Sequence, residues 1–261
     1  MFEETSFEVL QEPVYRRVNG GTGLEIVPGY KQIINATTNQ TLSIMSDDYE
    51  PIRDIDVIQR VLDITKTAGI DVIPVRHHIT RSKDNVMGRT TYMEVELPQY
   101  TLFPGGEETQ AVRLVIPNSF DGKLKLRLCI MFYRLVCGNG AMGWRSDFEF
   151  SVKHRAGALN QLTDALNLYL TDNISAATAM VRQMVDRNTT RDHVSAYLQT
   201  NTILTGERWV ERVMGAWMIA GAPVNHWDIY NLFTNLITHQ YGRNFGPKLT
   251  KLRQLNADVN N

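Results

Sequence analysis

Residues 123–136 read KLKLRLCIMFYRLV. Its opening alternates strictly: Lys123, Lys125 and Arg127 fall on one side, Leu124, Leu126 and Leu128 on the other. A period of two marks a half-buried β-strand. Further along, Leu159, Leu162, Leu166, Tyr169 and Leu170 recur at threes and fours, the period of a helix. The chain therefore changes character near residue 155, and that change decides the fold class.

On the early side the signals are strands and turns. Thr90 to Leu97 alternates, with Thr91, Met93, Val95 and Leu97 on one face and Tyr92, Glu94 and Glu96 on the polar other. Ala111 to Ile116 is an apolar run closed by Pro117. Gly20-Gly21-Thr22-Gly23, Pro104-Gly105-Gly106 and Asp121-Gly122 are turn punctuation. One helix interrupts: Ile55, Ile58, Val61, Leu62 and Thr65 predict it over Asp54–Ala68, with Gly69 as its C-terminal stop. On the late side, Ile174, Ala177, Met180, Val181 and Met184 extend the helical stripe and predict a long or broken helix over 156–186. Further helices are expected over His193–Gln199, Glu207–Ala220 and Asn225–Tyr241, the last carrying Trp227, Tyr230, Phe233 and Ile237.

Strands followed by helices predict an α+β fold, an antiparallel sheet in the N-terminal half packed against C-terminal helices. The expected organisation is a single domain over residues 1–245, β-rich to 155 and helical from 156, followed by a basic tail at 246–261. The 261 residues, 43% hydrophobic and 21% charged, exclude a disordered, fibrous or membrane-embedded chain. Val213 to Trp227 is the longest low-charge stretch, but Gly215, Gly221, Pro223 and Asn225 break it. The start, MFEETSFEVL, has no apolar leader segment. Cys129 and Cys137 are too few for a disulfide framework and wrongly spaced for zinc. A cytoplasmic protein of the host cell is expected, without membrane contact, cofactor or metal.

The net charge of −1 hides segregation. Glu3, Glu4, Glu8 and Glu12 stand without a base at the N-terminus. Arg76, Arg81, Lys83 and Arg89 face only Asp84 over residues 76–91. Lys123, Lys125, Arg127, Arg134, Arg145, Lys153 and Arg155 outnumber Asp147 and Glu149. Arg243, Lys248, Lys251 and Arg253 have no acid among them.

Three alternate cations on a strand lie roughly 7 Å apart, close to the phosphate repeat of an extended nucleic-acid strand. Tyr92, Tyr133 and Trp144 lie near these blocks in sequence and are candidate stacking platforms. His154, between Lys153 and Arg155, is a candidate phosphate donor. His77 and His78 point to opposite faces of a strand and cannot share an ion, so they read as surface residues. No phosphate-binding loop, dinucleotide fingerprint, HExxH, CxxC or GxSxG occurs, so no enzyme is expected. A metal-dependent nuclease using acids such as Asp121, Asp147 and Glu149 is a rival reading.

The run Asn118-Ser119-Phe120-Asp121-Gly122, then Arg134-Leu135-Val136-Cys137-Gly138-Asn139-Gly140, then Lys153-His154-Arg155, resembles a phage and plasmid family known as a domain of unknown function. Trp227, Tyr230, Asn231, Thr234 and His239 match its closing helix. The likeness spans residues 115–241. In size and layout the chain also resembles the single-stranded DNA-binding RNA polymerase cofactors of podoviruses that carry a virion polymerase. That likeness implies a sequence-tolerant single-stranded DNA-binding protein that recruits a phage RNA polymerase to melted promoters, with a homo-oligomer allowed. A strand-annealing recombination protein is the second rival.

Overall fold

The structure is a computed structural model of the whole chain. It describes residues 6–18, 22–82, 84–101, 110–134, 139–141, 149–168, 170, 172, 174–190, 192, 194–196, 211, 213–215 and 225–241, with the backbone alone at 110, 131–134, 139–141, 149, 177 and 234–241. Antiparallel strands precede helices, so the chain is α+β. Cys137, the expected helix over Glu207–Ala220 except residues 211 and 213–215, and the basic tail lie largely or wholly outside the described residues.

Three strands open the chain: β1 (Val9–Arg17), β2 (Leu24–Asn35) and β3 (Gln40–Ser46), in the order β1-β2-β3. The β2–β3 turn is built by asparagines. The Asn35 side-chain oxygen accepts from the amides of Thr37 (2.9 Å) and Thr38 (3.2 Å), and Asn39 takes a left-handed φ of 54°. Ile33 and Leu42 from this sheet join Tyr49, Val86 and Phe120 in one buried cluster, with Phe7, Val9 and Met45 packed against it.

Helix α1 (Asp54–Thr67) follows, as the periodicity predicts. Val57, Ile58, Val61 and Ile64 form its buried stripe. Its end is a Schellman motif. Gly69, at φ 68°, donates to Lys66 (3.1 Å), and Ile70 donates to Thr65 (2.8 Å). The second sheet comprises β4 (Ile73–Arg81), β5 (Met87–Glu96), β6 (Gln110–Ser119), β7 (Leu126–Arg134), β8 (Asn139–Ala141) and β9 (Glu149–Val152). They lie in the order β4-β5-β6-β7-β8, with β9 also paired to β7.

Three expectations are corrected here. β6 continues through Pro117 to Ser119, because proline removes one donor yet keeps an extended backbone. Tyr92 is not on a wet face: residues 91–95 are all buried, so β5 is covered on both sides. Lys123 and Lys125 precede β7, which begins only at Leu126. They sit in a turn, so the three cations do not form one strand face.

Gly88 in β5 has φ 91°, and a Cβ there would fall 2.6 Å from the Phe7 ring. Left-handed backbone and overpacking act together. Gly88→Ala is therefore expected to destabilise by about 3 kcal/mol, read as a lower urea midpoint. An unchanged midpoint would refute the contact.

The contacts divide the chain into two compact units. The first is Met1–Glu96, Leu114–Cys129 and Phe150–Leu168; the second is Leu97–Arg113, Ile130–Glu149 and Tyr169–Asn261. In the first, helix α2 (Ala158–Leu168) packs on α1, burying Leu162 and Leu166. In the second, α3 (Ile174–Asp186) and β8 pack against α4 (His226–Tyr241). The expected 156–186 helix thus comprises α2 and α3, with residues 170 and 172 between them π-helical. Asn225 caps α4 by accepting from the Asp228 amide at 2.9 Å. Trp227, Tyr230 and Phe233 are its buried stripe.

Candidate nucleic-acid interface

Of the residues that carry the resemblance, Asn118–Gly122 and Lys153–Arg155 lie in the first unit, with Asn118, Ser119, Phe120 and His154 buried. Asp54 is the first residue of α1, and its side chain is 3% exposed. One carboxylate oxygen accepts from Thr91 (2.9 Å, β5) and from the Asn118 amide (2.7 Å, β6). The other lies 3.0 Å from His77 Nε2 (β4). The helix N-terminus adds a favourable field for that carboxylate.

Asn118 is the hub. Its amide nitrogen also donates to the Ile52 carbonyl at 2.7 Å. Its oxygen accepts from the Ser119 amide (3.0 Å) and meets His154 Nε2 at 2.7 Å. Both partners of the Asn118 nitrogen are pure acceptors, and Ser119 N is a donor, so the amide orientation is determined. His154 must then donate through Nε2–H, and His77 donates to Asp54 likewise. Burial pushes the His154 pKa down to about 4, outweighing the opposing pull of Asp54. Tyr49 lies beside the His154 ring, with centroids 5.3 Å apart, and donates to the Ser119 carbonyl at 2.8 Å. Burial, and then the negative charge of Asp121, raise its pKa.

His77 and His154 therefore depart from expectation. The His77 side chain has no exposed surface, and His154 is buried. Each points inward because a hydrogen-bonding partner from another element waits there. His154 is not offered to phosphate, and Tyr92, buried with a raised pKa from desolvation, is not offered to a base.

The network fastens two exposed basic segments to adjacent residues. Ser119 Oγ donates to the Leu124 carbonyl (2.9 Å) and accepts from the Leu124 amide (3.0 Å). Asp121 accepts from the Lys123 amide at 3.2 Å, and Gly122 turns the chain at φ 69°. This turn presents Lys123 and Lys125, both exposed. Lys123 also reaches Asp121 at 3.0 Å, from an exposed ammonium to a largely buried carboxylate. Lys153 and Arg155 flank the buried His154 and are exposed.

The other candidate contacts are scattered. Arg76 and Arg81 are exposed on β4, and Arg81 donates to Asn85 at 2.7 Å. Arg89 is half-buried, bound to the Leu42 carbonyl (2.7 Å) and paired with Asp84 (2.7 Å), so its charge is committed. Arg127 is half-buried, near enough to Tyr92 to oppose its pKa rise. Lys83, Trp144, Arg145, Arg243, Lys248, Lys251 and Arg253 lie outside the described residues, as do the side chains of Tyr133 and Arg134. No trio of His, Cys, Asp or Glu is placed to hold a metal ion among the described residues. No helix among them is long and apolar enough to cross a membrane.

The fold is α+β, and a buried polar network centres on Asn118. Residues 41–256 match the family described as Domain of unknown function (DUF932), and the chain belongs to that family. None of the curated proteins or solved structures compared with it matches. Within this chain Asn118 is the hub, Ser119 and Asp121 hold a turn, Phe120 fills the core and His154 closes the network.

Proposed function

We propose that the protein binds single-stranded DNA without strong sequence preference. Contact is made by Lys123, Lys125, Lys153 and Arg155, with no chemical step. The observation that carries this reading is the anchoring of both basic segments to neighbouring residues, by a part-buried hydrogen bond at Ser119 and a buried one at Asn118. Four cations on turns set by a rigid interior suit a phosphate backbone better than isolated side chains would. The resemblance in size and layout to podovirus RNA polymerase cofactors extends the reading to a transcription cofactor that brings a phage RNA polymerase to melted promoters.

The test is fluorescence anisotropy with a labelled oligonucleotide across a salt series. Phosphate contacts release counterions, so affinity falls with salt, with a slope near −0.7 per contact. Changing Lys123, Lys125, Lys153 and Arg155 together to Glu is expected to flatten that slope by about 3 and to leave the thermal melt nearly unchanged. No binding by the natural protein at low salt would overturn the reading. Unchanged binding by the variant would move the contact elsewhere.

A further inference from the structure

Single-strand binders combine cations with aromatic platforms, and the burial of Tyr92 removes one expected platform from use. Among the described residues, the exposed tyrosine, phenylalanine and tryptophan side chains are Tyr15 and Tyr30, each 53% exposed. Tyr15 lies on β1 directly opposite Ile26 of β2, and Arg17 directly opposite Leu24. Alternation puts Tyr15 and Arg17 on one face of β1, so the four side chains share a face. Ile26 is 57% and Leu24 65% exposed. Arg16 lies on the opposite face with its direct partner Glu25, and the two form an ion pair. Arg17 has no ion-pair partner among the described residues.

An apolar floor with an open ring and a free cation one pleat away matches the chemistry of a nucleotide, whose base stacks and whose phosphate pairs. Past a bulge between Pro13 and Tyr15, the same two strands run towards the basic turn. Pro13, two residues before Tyr15, is in register with Lys31, and Lys31 with Met45. The Met45 side chain lies against Gly122, the residue before Lys123. We propose that the Tyr15–Arg17–Leu24–Ile26 face of the β1–β2 hairpin is the base-stacking subsite for single-stranded nucleic acid. The proposal rests on the single-strand-binding reading above. The hairpin precedes residues 41–256, so this subsite lies outside the matched family region.

Anisotropy with the same oligonucleotide tests it, using natural protein, Tyr15→Ala, Tyr15→Trp and Arg17→Ala, each checked by its melt. Tyr15→Ala is expected to weaken binding about tenfold with the salt slope unchanged, because stacking releases no counterions. Tyr15→Trp restores the affinity. Arg17→Ala flattens the slope by about 0.7. If natural protein binds and Tyr15→Ala binds equally well, the subsite is overturned while the broader reading stands. If natural protein does not bind, both fall. A dimer seen by light scattering that Tyr15→Ala dissolves, with DNA affinity unchanged, would assign the face to a second copy and overturn the subsite.

Discussion

Asn118→Ala is expected to destabilise the protein by about 3–5 kcal/mol, the largest effect of any single change considered. The side chain is fully buried and makes four hydrogen bonds, to Ile52, Asp54, Ser119 and His154. Removing it takes a buried partner from the Ile52 carbonyl, the Ser119 amide and His154 Nε2–H, and leaves Asp54 Oδ1 with the Thr91 hydroxyl. Each stranded group costs about 1–3 kcal/mol, and the costs do not add fully because the site relaxes. For a chain of this size the melting temperature should fall by roughly 10 °C. A second readout separates this from simple core damage. His154 loses its anchor, so the Lys153–Arg155 segment should become sensitive to limited proteolysis before global unfolding. A melt shifted by less than about 2 °C would sink the assignment of Asn118 as hub.

The second large effect is on pH. His154 has its pKa lowered to about 4 by burial, whereas an unfolded histidine titrates near 6.5. The folded state therefore binds fewer protons than the unfolded state between those values. Stability contributed by neutral His154 is complete above about pH 6.5 and declines as pH falls towards 4. The full loss is about 3 kcal/mol, most of it spent by pH 4.5. Charged and titratable neighbours do not reverse the sign: Asp54 pulls the other way but is outweighed by burial, Tyr49 is held neutral, and Asn118 offers only an acceptor. Urea midpoints at pH 7 and pH 4.5, for natural protein and His154→Gln, isolate the contribution. Natural protein should lose more stability on acidification than the variant. Equal losses would mean His154 is not the proton acceptor that matters.

What was legible in the sequence depends on whether the cause was local. Helix α1, its Gly69 terminus and the stripe of α4 follow from spacing alone. β5 was legible as a strand but not as a strand buried on both sides, because Tyr92 and Glu94 look like surface residues until their surroundings are known. The cations of KLKLRL alternate as well as any strand, yet Ser119 and Asp121 draw Lys123–Lys125 into a turn. Histidine burial was the least visible feature. His77 finds Asp54 at a separation of 23 residues, and His154 finds Asn118 at 36. The three-stranded N-terminal sheet also passed unread. Leu10, Tyr15, Leu24, Ile26, Tyr30 and Ile44 are exposed while Ile33, Ile34 and Leu42 are buried, and the β1–β2 register shifts between Pro13 and Tyr15, which spoils a clean period of two. The glycine cluster after Asn19 was the one hairpin signal present.

The knot around Asn118 also says something about how the chain assembles. Its bonds join residues 64, 66, 70 and 36 positions apart. Contacts of such separation are closed late and slowly, because the intervening loops must be ordered first. During synthesis, Asp54 leaves the ribosome about a hundred residues ahead of His154, with its partners still unmade. The polar interior is completed only once Lys153–Arg155 has emerged. The segment that finishes the fold is thus the segment that carries the cations, and a half-made chain has neither the knot nor the arrangement of charge it secures.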